Sequence, residues 1–217
     1  MTLSLLGRLS AVIVLLLTAT GCNIIGPAFY FAHGPGTVDA LYTLDKSRST
    51  VVFVDDRGSH IPRRQLRFTI ANEAQQRLLD NKAVADLIDS QSAFAVAAQD
   101  RHSKPLSIAG IGQSVGAGVV VYATIDAFEV APTGQELQPI SRMRVKVIDA
   151  ESGERLWPEE REGYSVPVAM PQQPGAFMAQ DAGAAARAQR ELAVWTGRTL
   201  AEIFYDVEVT SSARAGR

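Results

Sequence analysis

The fold is decided by a stretch of strand-forming sequence, residues 119–130, which reads VVVYATIDAFEV. β-Branched and aromatic residues fill its first half, and apolar and polar residues alternate in its second half, which is typical of a long strand. Residues 140–149, ISRMRVKVID, repeat the alternation after the turn residues Pro132 and Gly134. The sequence therefore predicts that these two strands pair as a hairpin.

Strands and helices are also predicted before this hairpin. Residues 51–54, VVFV, form an apolar run that predicts a strand covered on both faces. Pro62 can begin an amphipathic helix that reaches about Asn81, and residues 83–88 predict a weaker second strand. Two shorter helices are expected at residues 91–98, capped by Ser90, and at residues 108–115, capped by Ser107.

The part after the hairpin completes the expected sheet. Residues 154–157 and 164–168 predict short strands, and an alanine-rich helix is expected from Asp181 to Phe204 or Tyr205. Right-handed crossovers make the first three strands parallel, and the hairpins make the others antiparallel. The fold class expected is α/β (α+β), a mixed parallel and antiparallel sheet of about five strands packed with helices. Residues 207–209 can add a last short strand.

Composition limits the classes of function. The chain has 217 residues, of which 47% are hydrophobic and 20% charged, so it is a globular protein with one core. Its net charge is −2, so it has no basic field to hold nucleic acid. It has one cysteine, which excludes an internal disulfide and a cysteine-based metal site.

The amino-terminal residues predict export and lipidation. Arg8 precedes an apolar run, residues 9–17, which is too short to span a bilayer and fits a signal peptide. Residues 19–22, Ala-Thr-Gly-Cys, resemble the lipobox of bacterial lipoproteins, which usually has Leu at the position of Ala19. The resemblance implies that Cys22 becomes the lipid-modified amino terminus. Ordinary signal-peptidase cleavage after Gly21 is the alternative.

This signal divides the chain. We expect a lipoprotein signal peptide at residues 1–21, a lipid-anchored tether at 22–48, a single α/β domain at 49–209 and a tail at 210–217. Removal of the signal peptide takes away Arg8 and no acidic residue, so the net charge falls from −2 to −3. Lipoproteins kept at the inner membrane often carry Asp after the cysteine. Asn23 therefore favours the outer membrane, with the domain facing the periplasm.

Two further segments resemble one family of envelope proteins. Residues 107–121, SIAGIGQSVGAGVVV, and 145–156, VKVIDAESGERL, are similar to a helix-glycine-strand segment and a strand-turn segment. The family is typified by the amino-terminal domain of TolB, the curli-secretion lipoprotein CsgG and the penicillin-binding-protein activator LpoB. The resemblance spans about residues 49–206 and implies a TolB-like or CsgG-like fold. Gly118 stands where the family usually has Asp, and no extra strands are present for a CsgG-like pore.

Signals for catalysis, metals and cofactors are weak. The glycines at 110–118 precede a strand, whereas a dinucleotide-binding loop follows one, so no nucleotide cofactor is expected. The three histidines, His33, His60 and His102, are far apart in the sequence, and no metal is expected. The acidic run at residues 159–162 is interpreted as a solvated turn. The sequence therefore predicts no cofactor, no metal and no enzyme.

Candidate partner-binding residues lie in two loops. The first carries charged residues beyond the first predicted strand: Asp55, Asp56, Arg57, Arg63 and Arg64. We favour an internal carboxylate–guanidinium network there, with a partner-binding patch as the alternative. The second loop, residues 168–180, is either a disordered excursion or an adaptable protein contact. Its candidate contact residues are Met170, Phe177 and Met178.

Three functional hypotheses follow. The favoured one is a non-enzymatic lipoprotein, bound to the membrane through its lipid, that contacts envelope proteins in assembly, secretion or cell-wall regulation. The second is a small-ligand-binding or hydrolytic periplasmic protein that uses the loop from Asp55 to Arg67, joined in a deep pocket to His60 or His102. The third is a homo-oligomer that assembles as a ring.

Overall fold

The computed structural model describes residues 36–99, 106–132, 137–170 and 182–209. The expectations for Cys22, Phe177 and Met178 therefore lie outside the described residues. The chain divides into two compact units, one made of residues 39–206 and the other of both chain ends. In chain order the elements are β1 (Gly36–Val38), β2 (Thr50–Asp55), α1 (Arg64–Asp80), β3 (Leu87–Ile88), α2 (Ser90–Gln99), α3 (Ile108–Val115), β4 (Val119–Glu129), β5 (Ile140–Asp149), β6 (Arg155–Trp157), β7 (Tyr164–Ala169), α4 (Ala182–Ala201) and β8 (Val207–Val209).

The larger unit contains one mixed six-stranded sheet. The strand order is β3-β2-β4-β5, and β6 and β7 both pair with the outer edge of β5. β2 is parallel to β3 and to β4, whereas β4, β5, β6 and β7 pair antiparallel. The expected fold class and strand directions are confirmed, and the sheet has six strands rather than about five. The hairpin of β4 and β5 is interrupted by a bulge between Ile125 and Ala127.

The weak strand expected at residues 83–88 is shorter than predicted. Only Leu87 and Ile88 pair with β2. Ala83 and Val84 are buried, but they follow the end of α1, where the amide of Ala83 bonds to the carbonyl of Leu78. This bond closes the last turn of the helix, so the apolar residues before Leu87 serve the helix end instead of the sheet.

Local signals explain the ends of α3. The Ser107 hydroxyl accepts a hydrogen bond from the Gly110 amide at 3.0 Å, as expected for a helix cap. At the other end Gly116 has φ 77°, a left-handed conformation that glycine adopts at little cost. The predicted bounds of this helix are confirmed.

The core surrounds the central strands. Every residue from Val51 to Val54 is buried, which confirms a strand covered on both faces. Phe53 contacts Phe94 of α2, and α4 packs against α1, β5 and β7. At the crossing of α1 and α4 a side chain on Gly197 would overlap the carbonyl oxygen of Ile70, so only glycine allows this approach.

The edge of the sheet is protected by proline. β7 pairs with β5 alone, and Pro167 lies opposite Arg142 in the middle of this strand. Proline cannot donate a backbone hydrogen bond and is tolerated on edge strands. It therefore discourages the addition of a further strand there.

The compact unit begins earlier than the sequence predicts. Residues 39–48, assigned above to the tether, belong to it: Leu44 is buried, and the amide of Leu41 bonds to the carbonyl of Ile203. In the other unit, β1 pairs antiparallel with β8, with Gly36 opposite Val209. None of the helices in the described part is both long enough and apolar enough to cross a bilayer.

Candidate functional site

The charged loop after β2 is organised around Asp55. This residue ends β2, and its Oδ2 accepts hydrogen bonds from the Tyr122 hydroxyl and from Arg57 Nε, each at 2.8 Å. The Tyr122 ring is buried, and burial raises the pKa of its hydroxyl. The Arg57 side chain is 72% exposed, so its ion pair with Asp55 is screened by water. Asp55 is thus an internal acceptor next to an exposed cation.

Asp56 shapes the same loop through its backbone. Its Oδ1 accepts from the amide of His60 at 2.8 Å, and its Oδ2 accepts from the amide of Ile61 at 2.9 Å. Ile61 is buried, so these bonds anchor the end of the loop to the core. Both oxygens of Asp56 therefore have a structural use.

The arginines of α1 go in different directions. Arg63 donates to Gln189 Oε1 of α4 at 2.6 Å, and Arg67 donates to the carbonyl of Val54. Arg67 also lies over the Phe94 ring, and burial lowers the pKa of its guanidinium. Arg64 is exposed and makes no hydrogen bond or ion pair with a described residue. The favoured network between carboxylates and guanidiniums is therefore realised at one pair, Arg57 with Asp55.

Sequence reasoning missed a basic row on β5 beside this loop. Arg144 binds Asp126 through two hydrogen bonds of 2.7 Å and lies 3.6 Å from Glu162. Lys146 lies opposite Tyr122 in the neighbouring strand. Burial and then the positive charge of Arg155 lower the pKa of Lys146. The alternation of residues 140–149 was the signal, because it places Arg142, Arg144 and Lys146 on one face of the sheet.

The two family-like segments meet at a second cluster. Gly112 of α3 lies so close to β4 that a Cβ there would be 2.5 Å from Val120 Cγ2 and 2.9 Å from Ala150 Cβ. Gln113 Nε2 donates to the carbonyl of Ala150 at 2.7 Å, and the Ala150 amide donates to the carbonyl of Gly118 at 2.9 Å. Two segments that are distant in the sequence thus form one packed junction.

Arg48 completes this junction, and no sequence signal indicated it. Its Nη1 lies 2.8 Å from Asp149 Oδ2, and its Nη2 donates to the carbonyl of Gly118 at 2.6 Å. Asp149 Oδ1 accepts from the amides of Glu151 and Ser152. The Arg48 hydrogen bond and these amides lower the pKa of Asp149 to about 2. The polar groups of the junction are thereby occupied with one another.

Two shallow grooves lie elsewhere on the larger unit. One, of about 490 Å³, borders the junction and is lined by Arg48, Gln113, Gly118 and Glu151 among others. The other, of about 330 Å³, is lined by residues that include Lys46, Lys82 and Tyr205. Neither contains any residue of the loop from Asp55 to Arg67. His60 is exposed, and His102 lies outside the described residues.

The remaining predicted contact residue is partly covered. Met170 is half-buried and packs against the core, and its amide bonds to the carbonyl of Pro139 at 3.4 Å. It was expected to be exposed, but it continues β7 alongside β5. Within the described part of the chain, no three His, Cys, Asp or Glu side chains are grouped as a metal site.

Comparisons with known proteins give a distant likeness of fold. No family model and no curated protein sequence matches the chain. Among solved structures, the PelC dodecamer from Paraburkholderia phytofirmans is 13% identical, with 78% of this chain and 97% of that chain covered and a TM-score of 0.41.

Two other solved structures have a similar likeness. Lipoprotein GNA1162 from Neisseria meningitidis is 12% identical, with coverage of 64% and 91% and a TM-score of 0.40. The LpoB carboxy-terminal domain from Salmonella enterica is 20% identical, with coverage of 59% and 86% and a TM-score of 0.32. Likeness at this level establishes neither a family nor an activity for this chain.

Proposed function

We propose that this protein is a lipid-anchored component of the bacterial envelope that works by binding protein partners and catalyses no reaction. The observation that carries the proposal is the order of residues at the amino end: a basic residue, a short apolar run, small residues and then Cys22. This order fits export followed by lipid attachment to the one thiol of the chain.

Lipidation would make the attachment stable. A thioether-linked diacylglycerol and an amide-linked acyl chain such as palmitate each bury many methylenes, at about 0.8 kcal/mol per methylene. One chain alone gives reversible binding, whereas several chains together hold a protein on the bilayer. The globular unit would then meet its partners close to the membrane, at the periplasmic face of the outer membrane if Asn23 directs sorting.

The loop after β2 supports a binding role over a catalytic one. A general acid or base needs a carboxylate or imidazole that can reach a substrate proton. Asp55 already accepts from Tyr122 and Arg57, and Asp56 uses both oxygens on backbone amides. The exposed groups in this loop are cations, among them Arg57 and Arg64, which suit contact with an acidic surface.

The junction of the two family-like segments also supports the proposal. Gly112, Gln113 and Gly118 of one segment contact Ala150 of the other. Their resemblance to an envelope-protein family is therefore a resemblance of one three-dimensional unit rather than of two unrelated turns.

Substitution of the cysteine tests the anchor. In the wild-type strain we expect mass spectrometry of the membrane fraction to yield a triacylated peptide that begins at Cys22. The Cys22→Ser variant should be released from the membrane fraction, and Thr20→Ser, which keeps a small residue, should remain in it. Sedimentation of the Cys22→Ser variant with the envelopes would refute the anchor. Asn23→Asp should move the protein to inner-membrane fractions on a sucrose gradient.

Crosslinking tests the contacts. A photo-crosslinking residue at position 57, 64 or 177 should capture a specific envelope protein in living cells, whereas the same residue at position 190, on an exposed part of α4, should not. Turnover of a substrate by the purified protein would contradict the non-enzymatic part of the proposal. Mass photometry in detergent distinguishes a monomer from a ring.

A further inference from the structure

The basic row on β5 lies on the open face of the sheet. Met143, Val145 and Val147 are fully buried, and the alternating residues Arg142 and Lys146 therefore project to the opposite face. Helices α2 and α3 cover that face over β2 and the start of β4, through Phe53 and Val120. The row lies beyond them, with Arg142 exposed and Lys146 half-buried.

The cations of this region differ in whether they have partners. Arg57 is paired with Asp55, and Arg144 with Asp126. Arg155 donates to the carbonyls of Pro158, Glu159 and Arg161, which fixes the turn between β6 and β7. Arg142 and Lys146, by contrast, make no hydrogen bond or ion pair with a described residue. The face therefore has positive charge that its own carboxylates do not neutralise.

Lys146 is held in place although its charge is unmatched. Gly163 has φ 97°, and a Cβ at that position would lie 3.1 Å from both Cγ and Cε of Lys146. The glycine thus lets the turn pack on the stem of the lysine. Burial lowers the pKa of Lys146, and Arg155, Arg144 and Arg57 lower it further, whereas Glu162 opposes them. A bound anion would relieve this repulsion.

We propose that this open face binds an extended acidic segment of a protein partner, with Arg142 and Lys146 as the contacting cations. The inference rests on the protein-binding function proposed above and specifies the chemistry of the partner. Residues two apart on a strand are about 6.6 Å from each other, so Arg142 and Lys146 are separated by roughly 13 Å. An extended peptide has the same repeat, and carboxylates at alternate positions would match the row.

The shape of the surface favours a chain over a compact anion. The cations form a line along β5, whereas a phosphate site needs donors that converge on one point. The neighbouring residues of β7 on this face, Ser165, Pro167 and Ala169, are exposed and small, which leaves room beside the row. Pro167 also discourages pairing with the strand edge. Side-chain charge would therefore carry the contact, and its strength should fall with added salt.

Fluorescence anisotropy with defined peptides tests this site. The probe is a labelled decapeptide of alternating Glu and Ser, and the control peptide has Gln in place of Glu. The full mature protein is used in a non-ionic detergent. We expect the Glu peptide to bind and the Gln peptide not to bind. Lys146→Glu and Arg142→Glu should each weaken Kd by about tenfold, and Lys146→Gln, which keeps the packed stem, by roughly threefold.

A matched charge reversal separates the site from general electrostatics. Arg190→Glu changes the net charge equally on an exposed part of α4 and should alter Kd by less than about twofold. An equal loss in Arg190→Glu, or no binding of the Glu peptide, would overturn the inference. Binding to phosphatidylglycerol vesicles that depends on Lys146, without peptide binding, would assign the face to the membrane instead. None of these results changes the outcome of the Cys22 experiment, so the two failures are distinguishable.

Discussion

Arg48 and Asp149 form an ion pair of 2.8 Å that spans the central strand of the sheet. Arg48 lies just before β2, Asp149 ends β5, and β4 runs between those two strands. The same guanidinium donates to the carbonyl of Gly118, which precedes β4. A single side chain therefore joins the ends of three strands and connects both family-like segments.

This ion pair should make stability depend on pH in the acid range. The pKa of Asp149 is about 2 in the folded protein, against an ordinary value of 3.8, so folding favours the charged carboxylate. Its contribution should be full above about pH 4 and should disappear as the pH falls towards 2. Urea unfolding between pH 2 and pH 6 should give midpoints for the wild type and Asp149→Asn that differ most at the upper end and converge at the lower end. A constant difference across this range would show that the effect is not electrostatic.

Close packing at Gly112 gives a second prediction. A methyl group there meets Val120 and Ala150 at 2.5 and 2.9 Å, both in the packed junction, so Gly112→Ala should cost about 1–3 kcal/mol of unfolding free energy. Gly110→Ala on the same helix is the control. Its nearest neighbour is the movable Ser107 hydroxyl at 3.3 Å, and the helix propensity of alanine offsets the contact, so the change should stay within about 1 kcal/mol. Equal effects of both substitutions in chemical denaturation would contradict the tight approach.

Local signals in the sequence predicted much of the fold. Ser107 and Gly116 bound α3 because a capping hydroxyl and a left-handed glycine act within a few residues. The hairpin of β4 and β5 follows from alternation, which a buried face requires. Residues 39–48 were assigned to the tether because Leu41 and Leu44 show no helix or strand period, although Leu44 is in the core.

The candidate sites depended on contacts that spacing does not show. Arg48 reaches Asp149 only because the strand order places β4 between them. The alternation of β5 placed Arg142 and Lys146 on one face, but which cation is neutralised depends on the bulge between Ile125 and Ala127. That bulge sets the register in which Asp126 meets Arg144, and nothing in the residue types predicts it.

A buried hydroxyl gives a third prediction. Ser90 is fully buried at the start of α2, and its Oγ donates to the carbonyl of Val52 in β2 at 2.7 Å. Ser90→Ala would leave this carbonyl without that bond and should cost about 1–2 kcal/mol. Ser92, one turn position away, is exposed, and Ser92→Ala should change stability by less than about 0.5 kcal/mol. A Ser90→Ala variant as stable as Ser92→Ala in thermal unfolding would count against this contact.

The loop after β2 gives a fourth prediction, which separates structural residues from contacting ones. Asp56 holds the amides of His60 and Ile61, so Asp56→Ala should destabilise the protein by about 1–2 kcal/mol, and Asp56→Asn by less because an amide oxygen remains. Arg64 bonds to no described residue, and Arg64→Ala should leave stability within about 0.5 kcal/mol of the wild type. Chemical denaturation measures both effects.

The same pair of variants then reports on the partner. Below its melting temperature the Asp56→Ala variant should be captured by the partner in proportion to its folded fraction, because its carboxylate is occupied by the loop. Arg64→Ala should lose capture without losing stability if this loop is part of the contact, because its guanidinium is exposed. Full capture of Arg64→Ala, with capture lost in a folded Asp56→Ala variant, would reverse these two assignments and make Asp56 the contacting residue.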